Sequence, residues 1–419
     1  MTAPLLQAAR LPRAAPWSLA HALWLCPFRP FFALTMLSAW LLMGLWGGFL
    51  LLGWPLPVVP GGPFVWHAHE LLLGFVLAGV AGFVLTAVPE FTGTQPFAAW
   101  PVRLLVLLWL LGRLAFWCSG WWPGPALALS ALAHLGLLAG LMALLAPRLW
   151  RDPDRRHLSF FWTLLALAGV VSGFYVDALR DVSPARWLHL LVGVFMALVV
   201  VAMSRISMSI VNASIDDLAA RQGEDLAPYL ARPPRRNLAL LTIALFTLAE
   251  FWQAGGPVSG WLALAAACAL LNLLNDWHVG RPLLRRWPLM LYAVYLLMAG
   301  GYALIGVAVL SEAFSPNAGL HLLTTGVLGL SIYVVICIAG YTHSGLEKGG
   351  RAWVPLGAML LVASALLRVG AYAGQAQAMM GAAALLWGAA FVLQSAHMLP
   401  VFWRPRADGA SGCAGITAL

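Results

Sequence analysis

Trp66-His67-Ala68-His69-Glu70-Leu71-Leu72-Leu73-Gly74-Phe75 opens an apolar run that continues to about position 88. A run of this length, coiled as an α-helix, matches the roughly 30 Å hydrocarbon core of a bilayer. Two other stretches resemble it: Trp187-Leu188-His189-Leu190-Leu191-Val192-Gly193-Val194 and Gly319-Leu320-His321-Leu322-Leu323-Thr324-Thr325-Gly326-Val327. Aligning His69, His189 and His321 gives intervals of 120 and 132 residues, each the length of about four spans. Self-similarity at a fixed interval is the mark of a repeated structural unit.

Apolar windows between Pro, Gly and charge clusters outline twelve spans, at 30–53, 66–88, 101–119, 124–146, 159–176, 184–207, 238–254, 258–276, 287–310, 318–342, 352–373 and 377–402. The three histidines then open spans two, six and ten. The fold class expected is an all-α polytopic membrane protein of about twelve transmembrane helices in three four-helix repeats, 30–146, 159–276 and 287–402. These form one transmembrane domain over 30–402, flanked by an N-terminal segment 1–29 and a tail 403–419. The 208–237 connection, with Asp216, Asp217, Glu224, Asp225 and Pro233-Pro234, reads as a solvated loop with some short helix. No compact apolar region with a small-residue cleavage site precedes 30–53, so the first span is expected to be retained.

Composition supports the bilayer as solvent. Hydrophobic residues make up 62% of the 419 and charged residues 9%, against roughly 25% charged in a soluble domain. The net charge of +9 is accounted for by Arg-biased connections rather than by nucleic acid. Arg148, Arg151, Arg155 and Arg156, then Arg221, Arg232, Arg235 and Arg236, then Arg281, Arg285 and Arg286, then Lys348 and Arg351, and finally Arg404 and Arg406 fall on one side. The opposite connections hold Arg180 and Arg186. Cationic loops stay in the cytoplasm, so both termini are expected there, in a bacterial inner membrane. The five Cys, at 26, 118, 268, 337 and 413, show no CxxC spacing and no evident pairing. No nucleotide-binding loop and no Ser/His/Asp arrangement is present.

With this topology His67, His69, His189 and His321 lie near the non-cytoplasmic side on equivalent helices. Imidazole is the common protein ligand of haem iron and suits copper. A single interfacial histidine is more often a hydrogen-bonded group than a ligand; four at one depth favour a metal or haem site. His67 and His69, two residues apart, point about 200° apart on a helix and serve different neighbours. Glu70, Glu90, Arg113, Arg368 and Glu250 are charges within or beside apolar runs, which generally face a bundle interior or a water-filled path. Glu70 and Glu90 are candidates for proton passage, and Arg113 and Arg368 for haem propionates. The competing reading of the arginines is an Arg–Glu pair or snorkelling to the interface.

Phe28-Arg29-Pro30-Phe31-Phe32, Trp66-His67-Ala68-His69-Glu70, Gly82-Phe83-Val84-Leu85-Thr86-Ala87-Val88-Pro89 with Thr92-Gly93, Leu366-Leu367-Arg368 and Arg404-Pro405-Arg406-Ala407-Asp408-Gly409 together resemble the NnrS family. The resemblance runs over nearly the whole chain. It implies a bacterial membrane protein that contains haem, expected here as b-type, and copper, linked to denitrification and defence against nitric oxide. The chain departs from the family pattern at Arg205-Ile206-Ser207-Met208, at Thr342-His343-Ser344-Gly345 and at Ile338, all toward the cytoplasmic side. Twelve spans with histidines on the second, sixth and tenth are also similar in architecture to haem–copper oxidases and nitric oxide reductases, although span seven here has no histidine.

The leading expectation is therefore a protein that binds or reduces nitric oxide. His69 and His321 are assigned to haem, and His67 and His189 to a second haem or copper, with an external electron donor if NO is turned over. Two rivals stand beside it: a non-enzymatic NO-binding sensor or scavenger, which yields no N₂O, and a multi-pass transporter, which is metal-free.

Overall fold

The computed structural model describes residues 15, 16, 18, 21–223, 226–372, 376–410, 412 and 413. Most of the 1–29 segment before Cys26, including Arg10 and Arg13, and the acidic pair Glu224 and Asp225 lie outside the described residues. The described chain is helical, with no strand. Backbone N–H and C=O groups have no water to bond in hydrocarbon, so a spanning segment must satisfy them within itself as a helix.

Twelve rods follow one another among the described residues. They are α1 (Phe28–Leu52), α2 (Gly62–Phe91), α3 (Ala99–Trp117), α4 (Pro123–Arg151), α5 (Leu158–Leu179) and α6 (Ala185–Gln222). After them come α7 (Pro233–Trp252), α8 (Pro257–Leu274), α9 (Arg286–Ser311), α10 (Asn317–Thr342), α11 (Trp353–Gly370) and α12 (Ala376–Phe402). Eleven of them are long and apolar enough to cross a membrane. The other is α7, which carries Arg235, Arg236 and Glu250 in 20 residues. It still packs in sequence between α6 and α8. The protein is thus a multi-pass membrane protein, with eleven spans supported by apolarity where sequence reading expects twelve.

Prolines and glycines set the boundaries. Pro63, Pro123, Pro233 and Pro257 occupy first-turn positions, where a missing N–H is harmless. Gly53 ends α1 in the left-handed region at φ 71°, returning its N–H to the Gly48 carbonyl, a conformation that an L side chain resists. At 38 residues, α6 is about 57 Å long, well beyond the hydrocarbon core. Arg205 on α6 bonds the carbonyl of Arg156, in the α4–α5 connection, and beyond it Ser207, Ile210, Val211 and Ile215 are still buried. The stretch expected as a loop from 208 is therefore helical through Gln222. Asp217 on this extension pairs with Arg285 ahead of α9 and with Arg221.

Sequential helices pack on one another, and α1 packs against α12, closing the bundle. Burial singles out three rods. The most apolar windows of α2, α6 and α10 are 89%, 67% and 72% buried, against 28–50% for the other candidate spans. These three form the centre and the rest surround them. Val76, Gly79, Val80 and Phe83 of α2 face Phe195, Leu198 and Met203 of α6 and Leu328, Ile332 and Val335 of α10 across an apolar cavity of about 60 Å³.

Two contact sets fix which ends lie together. Arg29 at the start of α1 donates to the carbonyls of Phe402, which ends α12, and of Arg404 just beyond it, and Glu90 near the end of α2 meets His343 after α10. At the other end, Trp46 of α1 stacks on His67 of α2, and Arg368 of α11 meets His321 of α10. One correction concerns cysteine. Cys26 and Cys413, for which spacing shows no evident pairing, are joined by a disulfide across 387 residues, with Cα atoms 4.9 Å apart. Linear spacing carries no signal for a bond between the two ends of a closed bundle.

Candidate functional site

The histidines of α2 and α10 sit at matching irregularities. Directly after His69 the helix widens into a π segment, Glu70–Val76, in which Leu77 N–H reaches Leu72 O. Directly after His321 the same happens over Leu322–Leu328, with Gly329 N–H reaching Thr324 O. A π turn changes the direction in which side chains leave the helix, and such turns concentrate at functional sites.

His69 and Glu70 are fully buried. Glu70 Oε2 accepts from Arg113 Nε at 2.9 Å and Nη2 at 2.5 Å, and Arg113 Nη1 donates to Ser38 Oγ at 3.0 Å. Gly74 makes room for this arginine: a Cβ there would stand 3.1 Å from its Cζ and Nε. Glu70 Oε1 lies 3.1 Å from His69 Nδ1. A carboxylate only accepts, so His69 carries a proton on Nδ1; its other ring nitrogen is Nε2. That Nε2 faces the Tyr175 hydroxyl of α5 at 3.1 Å, and Tyr175 in turn lies 2.9 Å from His134 Nδ1 and 2.7 Å from Ser130 Oγ, both on α4. The His69 ring stacks on Phe116 with centroids 3.6 Å apart.

The same tautomer recurs twice. His134 Nδ1 lies 3.0 Å from the Ser130 carbonyl one turn back; a carbonyl cannot donate, so the proton is on Nδ1. Its Nε2 is buried without a partner among the described residues. His321 Nδ1 donates to the Asn317 carbonyl at 2.8 Å, and Arg368 Nη2 donates to its Nε2 at 3.1 Å. Tyr372 completes this second cluster, 3.2 Å from both Arg368 Nη2 and His321 Nδ1. Three imidazoles thus have Nδ1–H anchored to oxygen, as metal-ligating histidines commonly do, while Nε2 faces a hydroxyl in His69, accepts from Arg368 in His321 and has no partner among the described residues in His134.

The sequence-derived residues separate into groups. His67 turns away from His69, stacks on Trp46 with centroids 4.1 Å apart, and lies within electrostatic reach of His321 and Arg368. His69, Glu70 and Arg113 form the other cluster. His189 joins neither; it is exposed on α6, and the nearest charge acting on it is Glu250 of α7. Glu90 stands at the far end of α2 with its carboxylate 3.4 Å from His343, about 30 Å from Glu70 by helical rise. Among the described residues no three His, Cys, Asp or Glu side chains already form a metal cage. Sequence reasoning passed over Tyr175, Ser130, Asn317 and Tyr372. Tyr372 had a signal, standing four residues after Arg368 within the span expected at 352–373, although the helix itself ends at Gly370; Tyr175 had none beyond being polar in an apolar run.

A multi-pass helical membrane protein whose central helices carry a buried His69 and a half-buried His321 toward one end is the class that the fold defines. The family model described as "NnrS protein" matches residues 22–406, and the chain belongs to the NnrS family. Separately, 154 residues are 28% identical to "Uncharacterized transporter YaaJ" of Escherichia coli (strain K12), over 33% of this chain and 32% of that protein. The chain thus matches about a third of that relative's length.

Proposed function

We propose that this protein is a haem- and copper-binding protein of the bacterial inner membrane that binds or reduces nitric oxide. The observation that carries the reading is the shared anchoring of His69, His134 and His321, each with Nδ1–H fixed to an oxygen. Imidazole anchored in this way is suited to iron or copper once Nε2 is free, and the resemblance to the NnrS family implies haem and copper as the cofactors. The donor chemistry fits both groups. His321 and His67, with Arg368 and Tyr372, would hold one; His69 and His134, with Tyr175, would hold the other. Bound iron or copper would supply the orbital that takes NO and the route for electrons from an external donor.

The protein's own residues have definable work. Glu70 and Arg113 fix the His69 ring and its tautomer. Arg368 places a positive charge beside His321 that would pair with a propionate. Reduction of two NO molecules consumes two protons as well as two electrons; Glu70 and Glu90 are the carboxylates at the two ends of α2 for their passage. NO is apolar and concentrates in lipid, and the apolar cavity between α2, α6 and α10 is of a kind that stays dry and takes small apolar guests. The proposal extends to architecture: three four-helix units, each giving one central helix, with both termini cytoplasmic by the Arg asymmetry.

Reduced-minus-oxidised spectra of the purified protein, before and after NO, test the reading, with His321→Ala alongside. A Soret band that moves with NO and is changed in the variant is the expected result. N₂O measured on the same sample separates turnover from scavenging. A folded protein free of both haem and copper would overturn the proposal and return the transporter reading, which the partial likeness to YaaJ favours.

A further inference from the structure

The chain's two ends meet on the face opposite the histidines, and the contact is built. Arg29 is fully buried and donates to the carbonyls of Ala22, Phe402 and Arg404 at 3.0, 3.3 and 2.7 Å. The tail then crosses the end of α10: Ala407 N–H donates to the Ser344 carbonyl at 3.0 Å, and His343 Nδ1 donates to the Cys413 carbonyl at 2.8 Å. Arg406 braces the turn through both oxygens of Asp408 and the Gly412 carbonyl. Cys413 is thereby set beside Cys26, two residues ahead of α1, and both are buried. The ring of His343 also faces Glu90, so the tail lies over the end of α2.

This face carries Arg148, Arg151, Arg155, Arg156, Arg221, Arg232, Arg281, Arg285, Lys348 and Arg351 in its connections. Such a bias marks the cytoplasmic side. Cytosolic thiols are kept reduced, and a disulfide there is usually a transient one used in redox sensing. A pair placed for bonding in that compartment therefore has chemistry that an extracellular staple lacks.

We infer that Cys26 and Cys413 are a reversible thiol–disulfide modification site, oxidised by low-molecular-weight disulfides such as glutathione disulfide, whose oxidised form latches the C-terminal tail across the Glu90–His343 end of the bundle. In the first step one cysteine thiolate attacks glutathione disulfide, forming a mixed disulfide and releasing one glutathione thiolate. The second cysteine thiolate then attacks the protein sulfur of that mixed disulfide and releases the second. Two protein thiols and one glutathione disulfide become one protein disulfide and two glutathiones, the two protons passing to the departing thiolates. Cys118, Cys268 and Cys337 have no disulfide partner and take no part.

Differential alkylation of the full chain tests this. Cells are quenched in acid, free thiols are blocked with one isotopic form of N-ethylmaleimide, and thiols released by reduction are labelled with a second. The same labelling is applied to inside-out membrane vesicles treated with glutathione disulfide and then with dithiothreitol. The expected result is that Cys26 and Cys413 are mainly reduced in unstressed cells, convert together on oxidation and revert together on reduction. Tryptic cleavage after Arg406 is expected to slow several-fold in the oxidised form. In Cys26→Ser the coupled change at Cys413 is lost and cleavage no longer depends on the oxidant. A pair oxidised in every condition would make the bond a permanent staple and overturn the inference; so would a pair that never oxidises, or two thiols that react independently.

Discussion

Arg113 reaches across from α3 to place Nε 2.9 Å from Glu70 Oε2, while the other oxygen of Glu70 holds the Nδ1 proton of His69. One carboxylate thus anchors a cation and sets a tautomer in the same buried space. The pair links helix packing to ligand chemistry, and several consequences can be measured.

Removing one partner of this pair is expected to be costly. Arg113→Ala leaves an unpaired carboxylate at a side chain with 0% exposure, a change that destabilises by about 3–5 kcal/mol. Glu70→Gln with Arg113→Gln should lose much less than the two single variants summed. Thermal unfolding in detergent of the three variants checks this; additive losses would mean that the contact is not coupled.

Tyr175→Phe deletes the hydroxyl between His69 and His134 while keeping the ring. The loss expected is about 1–3 kcal/mol, since buried polar groups lose a partner. If His69 and His134 hold a cofactor, the visible spectrum of that cofactor should change as well. A variant unchanged in both stability and spectrum would remove Tyr175 from the site.

Gly319 packs directly on the backbone of α9. A Cβ at this position would lie 2.4 Å from the Gly301 carbonyl and 2.8 Å from the Ile305 nitrogen, and backbone cannot turn aside as a side chain does. Gly319→Ala is expected to cost about 1–3 kcal/mol. It should also weaken whatever His321, two residues on, binds. Unfolding temperature and cofactor content of the same preparation give both readouts.

The histidines are expected to divide. His69→Ala, His134→Ala and His321→Ala should each lower iron or copper per protein, measured by elemental analysis, whereas His189→Ala should leave both unchanged. Retention of full metal content in the first three would discard the ligand assignment, and loss in His189→Ala would require α6 to turn its outer face inward.

Most of the helical plan was legible because the bilayer imposes it. Eleven apolar spans, their Pro and Gly boundaries and the family match follow from local composition and short motifs. The tail of α6 is not legible, since its polarity, with Asp216, Asp217 and Arg221, reads as solvated loop. A helix with only one side buried is just as polar, and the Asp217–Arg285 pair that helps to hold it joins residues 68 apart.

The sequence by itself determined that this chain is a polytopic helical membrane protein, that it belongs to its family, and that histidines recur at the head of α2, α6 and α10. Only the tertiary structure decided which of them keep company. Helical phase alone separates His67 from His69, but it cannot say that α5 delivers Tyr175 and α4 delivers His134 to one of them, or that His189 faces outward. The same holds for Cys26 and Cys413. Partners contributed by different helices depend on how the rods rotate and pack in three dimensions, and a linear pattern of apolar runs leaves that rotation free.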